Sequence, residues 1–170
     1  MTDKDGVGVT VIGHDREDTA QVKNGYEKPG RYVLDVHYSE ASIAQLAGLT
    51  NVSAHCEQFI KFECYNVALL YMGNPDGWWV SRDGNDMTYW GGATPADSYK
   101  CACGVKSPNS CADPNRGCNC DKNDNVWRED SGLLTEKSDL PVTQLRFGDT
   151  GYYTEKGYHT LGKLECHGIV

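Results

Sequence analysis

The stretch EQFIKFECY, residues 57–65, alternates apolar and polar side chains along its length. Ile60, Phe62 and Cys64 fall on one side of this alternation, and the charged residues between them fall on the other. Successive side chains of a β-strand point to opposite faces of a sheet, so a period of two predicts a strand with one face in the core. This is the clearest strand of the sequence, and the prediction of a β-rich fold starts from it.

Other segments extend this prediction towards both ends of the chain. Residues 7–12 (VGVTVI) are rich in β-branched side chains, and residues 31–37 show the same alternation as residues 57–65. Closing strands are predicted at residues 140–147 and 158–166. The strands therefore span most of the chain.

One short helix is predicted between these strands. Ser39 is placed to cap its first turn, and Ile43, Leu46 and Ala47 follow at helical spacing, so that they would point inward. The helix is expected to end near Gly48.

Length and composition favour one mostly β domain over residues 1–170, with a minor helical part. The chain has 19 Gly, 10 Tyr and 4 Trp but few helix-forming runs. Residues 74–127 break into turn signals separated by aromatic pieces, and a segment of this kind needs cross-links to be ordered. We therefore expect long loops stapled by disulfides.

The charge excludes some partners. Sixteen basic and 24 acidic residues give a net charge of −8, which opposes binding to nucleic acid or to anionic membranes. No apolar run reaches the length of a membrane span and no signal sequence precedes the first strand, so we expect a soluble form without membrane insertion. The five histidines show no metal-ligand spacing and no nucleophile motif is present, so no enzymatic activity is predicted.

The eight cysteines favour disulfides. Their even number suits pairing, and an oxidising, secreted setting uses all of them. The alternative is zinc bound by Cys101, Cys103, Cys118 and Cys120, although one residue between ligands is short for a zinc knuckle. The predicted disulfide cysteines are Cys56, Cys64, Cys101, Cys103, Cys111, Cys118, Cys120 and Cys166.

Residues 111–125 (CADPNRGCNCDKNDN) combine three of these cysteines with seven Asp and Asn residues. If the cysteines are oxidised, the remaining ligands are hard oxygens, which select calcium. Side-chain ligands are predicted at Asp113, Asn115, Asp121, Asn123 and Asp124. The loop lacks the glycine of an EF-hand, and the alternative is that these residues only close turns.

Exposed aromatic rings beside a cation suit a neutral sugar, because a ring packs on the C–H face of a pyranose while hydroxyls bind the metal. A tryptophan in this setting is more often part of the core, but one of four is expected to be exposed. A second acidic turn follows the tryptophan pair at residues 78–79. The candidate ligand-binding residues are Trp78, Trp79, Trp90, Trp127, Asp83, Asn85 and Asp86.

Several blocks in fixed order carry a family resemblance. They are SAHCEQFIKFECYN, YWGG, KCACG, CNCD and LPVTQLRFGDT, and together with the opening MTDKDGVGVTVI they cover nearly the whole chain. In these blocks the sequence resembles the fibrinogen-like module of the contactin-associated proteins, of the neurexin-IV type. It is distantly similar to the C-terminal propeptides of fibrillar collagens. The N-terminal part is short relative to that family, because the preceding cysteine and the Gly-Gly-Trp-Thr after DMT are missing.

The resemblance implies a twisted, mostly antiparallel β fold, an extracellular location and no enzymatic activity. Similarity to the collagen propeptides suggests that Cys64 pairs with Cys166. It also implies a calcium loop in which the backbone carbonyls of Arg116 and Cys118 join the side-chain oxygens.

These observations lead to two hypotheses. The first is a secreted, calcium-dependent carbohydrate-binding protein for neutral glycans or glycoproteins, with galactose favoured because its cis 3- and 4-hydroxyls and continuous C–H patch suit one ion and one ring. The alternative is an extracellular protein-binding adhesion or matrix module whose tryptophans anchor the partner. The sequence leaves the oligomeric state open.

Overall fold

The strands and helices follow one another in an order that is mostly β. The computed structural model describes residues 2–4 and 7–170, with side chains from residue 8 onward. The elements are β1 (Thr2–Lys4), β2 (Val7–Ile12), β3 (Ala20–Gln21), β4 (Tyr32–Asp35), α1 (Ile43–Val52), β5 (His55–Tyr65), β6 (Trp78–Val80), β7 (Asp86–Met87), α2 (Ala102–Val105), a 3₁₀ helix (Cys120–Lys122), β8 (Arg128–Leu134), β9 (Gln144–Phe147) and β10 (Lys156–His167). The predicted mostly β fold with disulfide-stapled loops is confirmed.

Two antiparallel sheets form the framework. The large sheet has the order β1-β2-β10-β5-β8, with β3 also paired to β10, and the small sheet has the order β4-β9-β6-β7. The long strands β5 and β10 are neighbours in the centre of the large sheet and pair over nearly their whole length. Their outer face is open to solvent and their inner face is covered.

The alternation of β5 is seen in its burial. Ile60, Phe62 and Cys64 are buried, as the sequence predicts, while Lys61 and Glu63 are partly exposed and form an ion pair. The buried rings join the two sheets, since the ring of Phe62 stacks on Phe147 of β9 with 4.5 Å between centroids. Burying an aromatic side chain of this size contributes about 1.5–3 kcal/mol, so this contact anchors one sheet on the other.

Helix α1 begins and ends later than predicted. Its cap is Ser42 and not Ser39, because the Ser42 hydroxyl accepts the N–H of Gln45 while the Gln45 side chain accepts the N–H of Ser42. Gly48 lies inside the helix, which continues to Val52. Gly48 is on the exposed side of the helix, so the core needs no side chain at this position.

All eight cysteines form disulfides, which excludes the zinc alternative. The pairs are Cys56–Cys166, Cys64–Cys120, Cys101–Cys118 and Cys103–Cys111. The suggested pairing of Cys64 with Cys166 is therefore wrong. The antiparallel register of β5 and β10 places Cys166 opposite Cys56 and places Gly157 opposite Cys64, so Cys64 instead reaches the 3₁₀ helix.

The helices of the described part of the chain are short. None of them combines the length and the apolar character that a membrane-spanning helix needs.

Candidate functional site

The predicted calcium loop has several different hydrogen-bond partners. Asp113 Oδ1 accepts the N–H of Asn115 at 2.9 Å, and Asp113 Oδ2 lies 3.8 Å from Arg116 Nε. The carbonyl of Arg116 accepts the Asn109 side-chain amide at 2.8 Å. This first part of the loop is thus an Asp-closed turn with an ion pair, the arrangement expected when Asx residues serve the backbone.

Asp124 has a cationic partner of its own. Both of its carboxylate oxygens accept from Arg128, at 2.8 and 2.7 Å. These hydrogen bonds lower the pKa of Asp124 below its ordinary value. Asp124 is therefore a charge-balanced residue that ties the loop to β8.

Asp121 is the buried member of the predicted set. Its Oδ1 accepts the N–H groups of Leu69 and Leu70 at 2.9 and 3.0 Å, while its Oδ2 is shielded from solvent and has no hydrogen-bond partner among the described residues. Burial raises the pKa of Asp121 to about 7. A shielded carboxylate oxygen without a donor favours the protonated form, which agrees with the direction of this pKa shift.

The structure brings acidic residues of other loops to this place. Carboxylate oxygens of Glu27, Asp149 and Glu155 lie within 4.8 Å of one another. Burial and, to a smaller extent, the neighbouring charges of Asp121, Glu27 and Glu155 together raise the pKa of Asp76 to about 6. We call Glu27, Asp76, Asp121, Asp149 and Glu155 the carboxylate cluster.

Backbone contacts hold Asp149 in the cluster. Its Oδ2 accepts the N–H of Ala68 at 2.7 Å and the side-chain amide of Asn123 at 3.4 Å. Asp149 has a φ of 53°, a left-handed conformation that a non-glycine residue rarely adopts. Burial and, to a smaller extent, the charges of Asp76 and Glu27 together raise the pKa of Asp149 to about 6. Of the predicted ligands, Asp121 and Asn123 therefore lie at the carboxylate cluster. Local sequence patterns did not predict its other members.

The four tryptophans have different environments. Trp79 and Trp90 are fully buried, and their indole N–H groups donate to the carbonyls of Tyr89 and Asp130. Trp78 is partly buried against Gly30, whose lack of a Cβ makes room for the ring. Trp127 is 51% exposed.

Trp127 is part of an aromatic patch on the outer face of the large sheet. Its ring centroid lies 5.5 Å from that of Tyr65, at the end of β5, and 5.9 Å from that of Tyr158, near the start of β10. The patch consists of Tyr65, Trp127 and Tyr158. Glu63, Arg128 and Glu129 line a shallow cavity beside Trp127, so the patch has a charged border.

The patch and the carboxylate cluster lie at the same end of the molecule. Tyr65 is paired in register with Lys156, which directly follows Glu155 of the cluster. The carbonyl of Asp124 accepts the N–H of Asn66, so the stapled loop also meets the end of β5.

The remaining predicted residues lie on other elements. Asp83, Asn85 and Asp86 are exposed in the hairpin between β6 and β7, where the carbonyl of Asn85 accepts the N–H of Ser81. Asn115 and Arg116 line a groove of about 430 Å³ together with Met72, Tyr99 and Lys100. The guanidinium of Arg116 lies 4.1 Å above the ring of Tyr71, so it is held in place by a cation–π contact.

Comparison with known proteins finds relatives that are much longer than this chain. No family model matches it. It is 41% identical over 162 residues to Contactin-associated protein 1 of Homo sapiens, covering 94% of this chain and 11% of that protein. It is 39% identical over 172 residues to Neurexin-4 of Drosophila melanogaster, covering 96% of this chain and 13% of that protein.

The chain thus spans about a tenth of the length of these relatives. The similarity runs through nearly all of the sequence, including the strands and the disulfide-bonded loops described above. The chain is therefore related to one segment of the contactin-associated protein and Neurexin-4 family.

Proposed function

We propose that this chain is an extracellular adhesion-type module that binds a protein or glycoprotein partner and has no enzymatic activity. The relatives are modular proteins of the contactin-associated and neurexin type, which supports an adhesion role for a segment of this kind. Four disulfides in a chain of this size suit an oxidising, extracellular compartment.

The aromatic patch is the observation that carries this proposal. Half of the Trp127 side chain remains in water although Tyr65 and Tyr158 lie beside it. Tryptophan and tyrosine dominate the binding energy of many protein interfaces, especially where a polar rim surrounds them. Glu63, Arg128 and Glu129 form such a rim. The partner is therefore expected to place an apolar or aromatic group on the patch and polar groups around it.

Calcium-dependent binding of a neutral sugar is a second proposal, favoured by the carboxylate cluster at the same end. The carboxylate oxygens of Glu27, Asp149 and Glu155 are hard donors that lie within 4.8 Å of one another, so these residues fit Ca²⁺. Asp113, Asn115 and the carbonyls of Arg116 and Cys118 remain a further proposed set of ligands. Galactose is the favoured sugar, because its C–H face suits Trp127 and its cis hydroxyls suit one ion.

One experiment separates the two proposals. The labelled chain is applied to a glycan array and to intact cells, in calcium and again in EDTA, with cells treated beforehand by protease or by glycosidases. A protein partner predicts a blank array, cell binding that survives EDTA and glycosidases, and loss of binding after protease. Array binding that EDTA and Asp149→Asn abolish, but the exposed control Asp18→Asn leaves unchanged, would contradict the protein-binding proposal and support the lectin.

A further inference from the structure

Two histidines far apart in the sequence face each other across the large sheet. His55 begins β5, His167 ends β10, and the antiparallel register places them directly opposite. Their ring centroids are 5.2 Å apart and the ring planes are inclined by 32°. The two imidazoles therefore sit side by side on the outer face, a juxtaposition that their spacing in the chain does not reveal.

The pair is held by a rigid frame. The neighbouring residues Cys56 and Cys166 are also opposite each other, and their disulfide cross-links the two strands one position away. The carbonyl of Gly168 accepts the N–H of Ala54, which extends the pairing beyond the histidines. The separation of the rings is therefore fixed by the backbone, which lowers the ordering cost of binding a shared ligand.

His167 has an unsatisfied nitrogen. Its Nδ1 is shielded from solvent and has no hydrogen-bond partner among the residues that the structure describes. A neutral imidazole has one donor and one acceptor nitrogen, and leaving either without a partner when shielded costs free energy. A ligand between the rings would remove that cost.

A cavity of about 530 Å³ opens beside the pair. His55, Glu57, Glu136, Lys137 and His167 contribute to its walls. Glu57 lies two residues along β5 from His55, so both side chains are on the same face, and it is paired in register with Glu165. The cavity thus offers room for water next to the imidazoles.

We propose that His55 and His167 bind one divalent transition-metal ion of the Zn²⁺ class, with water completing its coordination. Imidazole nitrogen selects zinc, copper or nickel over calcium. Two imidazoles on one tetrahedral zinc, with Zn–N bonds of about 2.0–2.1 Å, keep their ring centroids roughly 5 Å apart. The observed separation matches that geometry without a movement of the strands.

This site is separate from the proposed binding end. The histidines are at the start of β5 and the end of β10, whereas Tyr65 and Lys156 are at the other ends of these strands. A strand rises about 3.3 Å per residue, so the two regions are roughly 30 Å apart. Metal binding by the histidines would thus add a second functional surface to the module.

Titration of the folded chain with Zn²⁺ by isothermal calorimetry tests the proposal. One saturable site per chain is expected, and His55→Ala or His167→Ala should weaken binding at least about tenfold, because each removes a ligand. His37→Ala is the matched control, since His37 is an exposed histidine that contacts Asp15 elsewhere. Asp149→Asn should also leave Zn²⁺ binding unchanged, which separates this site from the carboxylate cluster.

A second measurement needs no variant and so does not depend on a variant that folds. Carbethoxylation of the histidines is mapped by mass spectrometry with and without Zn²⁺. Protection of His55 and His167, but not of His37, supports the site. Equal modification of His55 and His167 in both conditions, or Zn²⁺ binding that persists in both alanine variants, would overturn it.

Discussion

Two buried aspartates show how single residues hold the stapled loop. Asp130 accepts the N–H groups of Asn119 and Cys120, at 2.9 and 2.8 Å, with one carboxylate oxygen each. Asp121 uses a single oxygen for Leu69 and Leu70 and leaves the other without a partner. Both side chains are almost fully buried, and burial raises both pKa values above the ordinary range. The two residues fix the same loop, but of the two only Asp121 has a carboxylate oxygen without a hydrogen-bond partner.

The raised pKa of Asp121 predicts a specific dependence of stability on pH. In the folded protein its pKa is about 7, against an ordinary value of 3.8, so the folded state binds more protons than the unfolded state between these pH values. Stability from this group is therefore greatest below about pH 4 and falls as the pH rises to about 7. Asp121→Asn keeps an oxygen for the Leu69 and Leu70 N–H groups and removes the ionisation.

We expect Asp121→Asn to be more stable than the wild type at pH 7.5 in EDTA, by on the order of 2 kcal/mol, and to differ less at pH 4.5. Urea unfolding at the two pH values measures the difference. A stability difference that is the same at both pH values would show that Asp121 does not titrate as its burial implies.

Local sequence patterns predict some residues of the candidate site and not others. The Asp and Asn content of residues 111–125 pointed to Asp121 and Asn123, because they lie in one loop with evident oxygen donors. Asp76 and Asp149 come from other loops, and in the folded chain Asp76 lies near Asp121 while Asp149 lies near Asp76 and Asn123. No local pattern can show that side chains of different loops lie close together. For the same reason, no local pattern can show that Trp127 rather than Trp90 is exposed.

At the scale of elements, β5 was predictable and its pairing was not. Alternation along residues 57–65 depends on neighbouring residues, so the sequence displays it directly. The register between β5 and β10 joins residues that are about a hundred positions apart, and it decides that Cys56 rather than Cys64 lies opposite Cys166. The number of cysteines indicates that disulfides form, but predicting which cysteines pair requires knowledge of this register.

The disulfides should differ in their contribution to stability. Cys56–Cys166 closes a separation of 110 residues and Cys103–Cys111 closes one of 8. Chain entropy predicts a loss of roughly 4 kcal/mol for the double variant Cys56→Ser/Cys166→Ser and roughly 2 kcal/mol for Cys103→Ser/Cys111→Ser. Both variants replace two buried cysteines by serines, so each serves as the control for the other.

Urea unfolding of the two double variants, with the remaining disulfides verified by non-reducing peptide mapping, checks this order. A larger loss in Cys103→Ser/Cys111→Ser would contradict it. That result would mean that the stapled loop, and not the pairing of β5 with β10, limits the stability of the fold.

For the whole molecule, the two central strands of the large sheet connect two chemically different ends. One end carries the aromatic patch and the carboxylate cluster, and the other carries the His55 and His167 pair. The net charge of −8 favours neutral or cationic partners at either end. Because the strands are long and cross-linked, the two ends are held at a fixed distance.

We propose that the aromatic patch is the surface that binds the partner. The most direct test is a binding isotherm to partner-bearing cells for the wild type, Trp127→Ser and the control Tyr153→Ser, which alters an aromatic side chain that is 94% exposed and outside the patch. When all three proteins are folded, Trp127→Ser is expected to bind about thirtyfold more weakly or worse, as for an interface hot spot. Tyr153→Ser is expected to bind like the wild type. Equal affinity of Trp127→Ser and the wild type would contradict it.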